Sequence, residues 1–114
     1  MLFRSISSVN AQLGQLGQVN YSAAKAGIIG LTRALAFEGA AKGVLVNAIA
    51  PGYINTDMVA VIPEAVKQKI IAQIPVGHLG DVDDVARTVL FLVSEDNHFL
   101  TGTTINVNGG QNRV

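Results

Sequence analysis

The chain has 114 residues, 49% of them hydrophobic and only 14% charged, against roughly 25% charged in an average soluble domain. Eight Lys+Arg balance eight Asp+Glu and there is no cysteine, so no net field draws the chain to nucleic acid or an anionic membrane, and disulfide, iron–sulfur and cysteine-zinc sites are excluded. His78 and His98 lie too far apart for metal-ligand spacing and no metal site is expected. No apolar run approaches the ~18 residues of a membrane span, and no signal-peptide core opens the chain, which points to a soluble, cytoplasmic protein. A mean hydropathy of +0.39 exceeds what so small a domain ordinarily hides, so burial against another chain or segment is expected.

The first clearly periodic segment is a long helix from Asn20 or Tyr21 to about Ala41. Ala24, Ile28, Leu31 and Leu35 recur at helical spacing, and Gly43 supplies the stop. Val44 to Ile49 is a short, apolar run suited to a buried strand, ended by Pro51-Gly52. Pro63 and Glu64 open a short helix whose face continues through Val66, Ile70 and Ile74 to Pro75. Asp81, Asp83 and Asp84 place negative charge at the start of a third helix running to about Ser94. Thr103 to Val107 reads as a last strand, closed by Asn108-Gly109-Gly110. The order is that of an α/β protein with parallel strands and helical crossovers. Two or three strands make a small parallel sheet, and such sheets are covered on both faces, so the chain reads as part of a larger domain.

Tyr21 and Lys25 stand four apart at the start of the long helix, on one face and one turn from each other. A free phenol is a reluctant acid at neutral pH, but a nearby ammonium stabilises the phenolate and readies the group for proton exchange. A hydroxyl beside it, such as that of Ser8, can hold a carbonyl oxygen while charge develops there. On their own, a tyrosine and a lysine opening a helix are usually a partly buried aromatic and a solvated charge, and a pair such as Ser7-Ser8 is usually a turn or cap.

The surroundings are more specific. Ser8 lies thirteen residues before Tyr21. Asn20-Tyr21-Ser22-Ala23-Ala24-Lys25-Ala26-Gly27 opens the helix, Val46-Asn47-Ala48-Ile49-Ala50-Pro51-Gly52 follows, then Thr56-Asp57-Met58, and Asn108-Gly109-Gly110 stands near the end. From about Ile6 to Gln111 the chain resembles the C-terminal half of the short-chain dehydrogenase/reductase family. The resemblance implies the C-terminal half of a Rossmann-type, doubly wound parallel sheet. It makes Ser8 the substrate-orienting serine, Tyr21 the proton donor, and Lys25 the lysine that lowers the tyrosine's pKa and holds the nicotinamide ribose. Pro51, Gly52, Ile54 and Thr56 would approach the nicotinamide of NADP or NAD, with NADPH favoured. Proline fixes the exit from the strand there, and glycine lets backbone approach a flat ring.

Within the family, Gly14-Gln15-Leu16-Gly17-Gln18, Tyr53 and the Asn-Gly-Gly-Gln end look most similar to enzymes that reduce acetoacetyl-CoA, with those acting on 3-oxoacyl-carrier-protein next. Gln15, Gln18 and Tyr53 would then approach the acyl chain of a small thioester substrate, and Met58 to Ile74 would form a flap over it. A homo-oligomer, commonly a tetramer, is implied. The family's glycine-rich phosphate-binding turn, its Asn-Ala-Gly motif and its helical asparagine have no counterpart in these 114 residues. Met1 to Ser5 also matches poorly the strand expected before Ser7-Ser8. The expectation is a partial single domain over 1–114, with 1–5 foreign to a natural protein about twice as long, and inactive by itself. A non-catalytic assembly module is the competing reading.

Overall fold

The computed structural model describes residues 2–8 and 16–113. Three strands, β1 (Leu2–Ile6), β2 (Leu45–Pro51) and β3 (Thr104–Val107), form one parallel sheet in the order β1-β2-β3. The register aligns Leu2 with Leu45 and Ile6 with Ile49, then Ala48 with Thr104 and Pro51 with Val107. The helices are α1 (Val19–Gly39), continued by a 3-10 turn over Ala40–Lys42, α2 (Asp57–Ala60), α3 (Glu64–Ala72) and α4 (Val82–Val93). Among the described residues, no helix is long and apolar enough to cross a membrane.

The α/β order and the parallel sheet are those the sequence implies, with differences in individual elements. One correction is β1: Leu2–Ile6 is a strand despite its poor match to the expected pattern. Strand pairing uses backbone groups, and β2 offers a complete row of them. Pro51 ends β2 as its last residue, where a missing N–H costs little, and the Gly52 N–H takes up the next bond, to the Val107 carbonyl oxygen at 2.9 Å. The short α2 is new, and α3 stops at Ala72, where Gln73 and Ile74 turn back through bonds to the Ile70 and Ile71 carbonyls.

Gly43 ends the first helical segment at φ +73°, the left-handed geometry that glycine accepts without a Cβ clash. The chain then enters β2, whose residues Val46 to Ala50 are all buried, so both faces of the strand are covered. The helices packed on β2 are α1 and α4, and they therefore lie on opposite faces. Val46, Ile49, Leu92 and Thr32 fill the interior. Asn47, 3% exposed, locks β2 to the approach to β3: its amide donates to the Leu100 carbonyl at 2.9 Å, and its side-chain oxygen accepts from the Thr103 N–H at 3.3 Å.

Candidate active site

Because all three strands run the same way, their carboxyl ends share one edge of the sheet. There β1 runs into Ser7 and Ser8, β2 into Gly52, and β3 into Asn108. In open parallel sheets this edge is where ligands bind.

The start of α1 is tied to that edge through Lys25. The Ser7 hydroxyl donates to the Lys25 backbone carbonyl oxygen at 2.7 Å, and the Lys25 ammonium Nζ lies 3.4 Å from the Ile6 carbonyl oxygen. One turn earlier, Tyr21 is half exposed, and Nζ stands 5.6 Å from its ring centroid. Ser8, buried, follows Ser7 directly. Gln18 immediately precedes α1 and lines a hollow of about 410 Å³ together with Tyr21. The structure thus brings Ser7, Ser8, Tyr21, Lys25 and Gln18 to one end of α1. Gln15 lies outside the described residues.

Pro51 and Gly52 form the corner at the end of β2. A Cβ at Gly52 would stand 2.8 Å from Asn108 Cβ and 2.9 Å from its Cα, so the turn after β3 presses directly on this corner. The Gln111 side-chain oxygen lies behind the same glycine, buried and with no hydrogen-bond partner. Ile54 bridges to Gly80, with the Gly80 N–H donating to the Tyr53 carbonyl at 3.0 Å and the Asn55 N–H to the Gly80 carbonyl at 2.7 Å. Thr56 caps α2 through its backbone, its carbonyl accepting from Val59 and Ala60 while its exposed hydroxyl makes no capping bond.

Tyr53 is placed elsewhere. It lines a larger cleft, about 630 Å³, walled by α4 and β3 with Asp84, Arg87, Phe91 and Asn106. Tyr21 and Lys25 do not line this cleft; the polar side chains that do include Asp84, Arg87, His78 and Thr88. The Asp84 carboxyl is held below its ordinary value, chiefly by the Asp81 N–H that donates to it at 2.7 Å; burial opposes this in part, and the Arg87 guanidinium and His78 add smaller favourable contributions. Among the described residues, no three His, Cys, Asp or Glu side chains gather as metal ligands.

The role of Ser7 escapes sequence reasoning. A serine doublet signals a turn or cap, whereas its hydrogen-bond partner lies eighteen residues away and is a backbone atom, which no motif encodes.

Over residues 4–112 the chain matches the family model described as enoyl-(acyl carrier protein) reductase. It is 65% identical over 108 residues to an acetoacetyl-CoA reductase of Rhizobium meliloti, covering 94% of this chain and 45% of that protein. A 3-oxoacyl-acyl-carrier-protein reductase of Aquifex aeolicus is 56% identical over 106 residues, 93% of this chain and 43% of its own length. A (3R)-3-hydroxyacyl-CoA dehydrogenase of Mus musculus is 47% identical over 106 residues, with coverages of 93% and 41%. The chain thus spans somewhat under half the length of the curated relatives it matches.

Proposed function

The chain belongs to the short-chain dehydrogenase/reductase family, and from that premise we propose that it carries the proton-transfer and substrate side of an NAD(P)H-dependent reductase of 3-oxoacyl thioesters, acetoacetyl-CoA foremost. The observation that carries the reading is the placement of Tyr21 one turn before Lys25, with the ammonium 5.6 Å from the ring, while Lys25 is tied to Ile6 and Ser7, the residues just before the buried Ser8 at the carboxyl edge of a parallel sheet.

The residues present fit the nicotinamide end of such a cofactor. The Pro51-Gly52 corner offers backbone without a side chain, and Gly52 has no room for one on its inner side. Ile54 and the exposed Thr56 follow on the same loop. When bound, the nicotinamide supplies a hydride to the C3 carbonyl carbon of the thioester. Ser8 donates a hydrogen bond to that carbonyl oxygen, and Tyr21 gives it the phenolic proton, leaving a 3-hydroxyacyl thioester. Lys25 sets a positive charge beside the phenol and would hold the nicotinamide ribose. Gln18, which shares a hollow with Tyr21, approaches the acyl chain; Gln15 and Tyr53 are proposed with it on family resemblance. Met58 and Val61, each 83% exposed, belong to the flap that would close over the substrate. NADPH is the favoured nucleotide, and the same reading makes the enzyme a cytoplasmic homotetramer.

The test joins the chain to the part of the Rhizobium meliloti acetoacetyl-CoA reductase that it does not cover and follows NAD(P)H oxidation. Turnover of acetoacetyl-CoA is expected, and Tyr21→Phe, which keeps the ring but has no proton to give, should lower kcat by about 10²–10⁴. Near-normal turnover by the phenylalanine variant sinks this reading. The unjoined chain, which has no glycine-rich phosphate turn, serves as the control expected to be inactive. A kcat/KM higher for a medium-chain 3-oxoacyl-carrier-protein would move the substrate to fatty-acid synthesis.

A further inference from the structure

The two serines at the end of β1 have different surroundings, and the function proposed above uses only Ser8. Ser7 is 2% exposed. Its N–H donates to the Ile49 carbonyl oxygen at 2.6 Å, continuing the pairing of β1 with β2, and its hydroxyl donates to the Lys25 carbonyl oxygen at 2.7 Å. That carbonyl lies inside α1, where the helix ladder already provides it an N–H four residues on. A carbonyl has two lone pairs, so the serine bond is additional to the ladder. The helix does not need it to stay helical; its effect is to fasten a particular turn of the helix to a particular residue of the sheet.

The turn so fastened carries Lys25, whose ammonium in turn lies 3.4 Å from the carbonyl of Ile6, the residue before Ser7. Ile6 and Ser7 thus hold Lys25 by its side chain and its backbone at once. We propose that Ser7 is the positioning residue of the proton-transfer site, its hydroxyl fixing the depth at which the first turns of α1 sit against the end of β1, and with it the reach of Tyr21 and Lys25 towards Ser8. This rests on the reading of those three residues as the reacting site. The hydroxyl touches neither substrate nor cofactor; it acts through the helix. Misplacement of reacting groups by about 1 Å can cost 10²-fold in rate, so a single clamp at this point has leverage on kcat.

Three substitutions test the proposal. Ser7→Ala removes the hydroxyl, Ser7→Cys fills its volume with a much weaker donor, and Ser7→Thr restores it. In the joined reductase, the alanine and cysteine variants should each lower kcat about tenfold or more while KM for acetoacetyl-CoA and for NAD(P)H stays within about threefold, and threonine should recover kcat. In the 114-residue chain itself, amide hydrogen exchange over Ala24 to Ile28 should quicken in the same two variants. Unchanged kcat in Ser7→Ala overturns the proposal. So does full kcat in Ser7→Cys, which would make the role one of volume, or a loss confined to thermal stability. If one variant fails to fold by circular dichroism, the other decides; loss of the fold in both assigns the hydroxyl to folding and also overturns it. Tyr21→Phe is measured in parallel. Its near-normal turnover sinks the parent reading, whereas its loss beside intact Ser7 variants sinks this proposal alone.

Discussion

At Gly52 a methyl group has nowhere to go. Its carbon would stand 2.9 Å from the Cα of Asn108, a backbone atom that cannot swing aside as the end of a flexible side chain would. Gly52→Ala is therefore expected to destabilise the chain by about 1–3 kcal/mol, the usual cost of overpacking, seen as a lower urea midpoint. In the joined reductase it should also raise KM for NAD(P)H more than it lowers kcat, because the same corner is proposed to face the nicotinamide. An unchanged urea midpoint would show that the turn after β3 yields freely. Tyr53 illustrates the opposite relation between sequence and space: one residue after this corner, it lines the cleft beneath α4 rather than the hollow shared by Gln18 and Tyr21.

Helix α4 owes its start to charge. Asp81 stands at the N-cap with extended backbone, and Asp84, three residues on, returns a carboxylate oxygen to the Asp81 N–H at 2.7 Å, the return arm of a capping box. Arg87, one turn further, pairs with the other oxygen of the same carboxylate. These partners favour the ionised form and hold the Asp84 carboxyl below its ordinary value of 3.8. A carboxyl whose folded-state value is depressed contributes stability above its unfolded value, and that contribution is lost as pH falls through the folded value. The urea midpoints of the natural chain and Asp84→Asn should therefore differ at pH 7 and at pH 5, then converge as the solution is acidified below the ordinary aspartate value. A difference that persists undiminished in acid would show that ionisation of Asp84 does not support the helix.

The molecule as a whole is looser than its length requires. Its radius of gyration is 15.2 Å, where a compact domain of this length has about 13 Å. Leu31 and Phe37 on α1 and Leu90 and Phe91 on α4 are 48%, 89%, 67% and 61% exposed, and Phe99 before β3 is 93% exposed. β1 and β3 are the two edges of the sheet. Apolar faces combined with open strand edges favour association, and the low charge content supplies little repulsion against it. The 114-residue chain is thus expected to self-associate: light scattering should give a mass that rises with concentration, and the thermal transition should depend on concentration. A sharp, concentration-independent transition from a particle of 11.9 kDa would contradict this.

The sequence by itself determined the order of the long elements, the parallel α/β class and the family. Each of these is written locally: the helical period of Ala24, Ile28, Leu31 and Leu35, the apolar run before Pro51, the stop at Gly43, and the spacing of Ser8, Tyr21 and Lys25. Tertiary structure alone decided what depends on partners distant in the chain. Leu2–Ile6 becomes a strand because β2 presents unpaired backbone to it, not because of its own residues. Pro51 stays in β2 because Val107 lies opposite. Ser7 differs from Ser8 because a carbonyl eighteen residues on comes within 2.7 Å of its hydroxyl. Periodicity reports which face of an element is apolar, but which backbone atom meets which side chain is fixed only when the helices settle on the sheet.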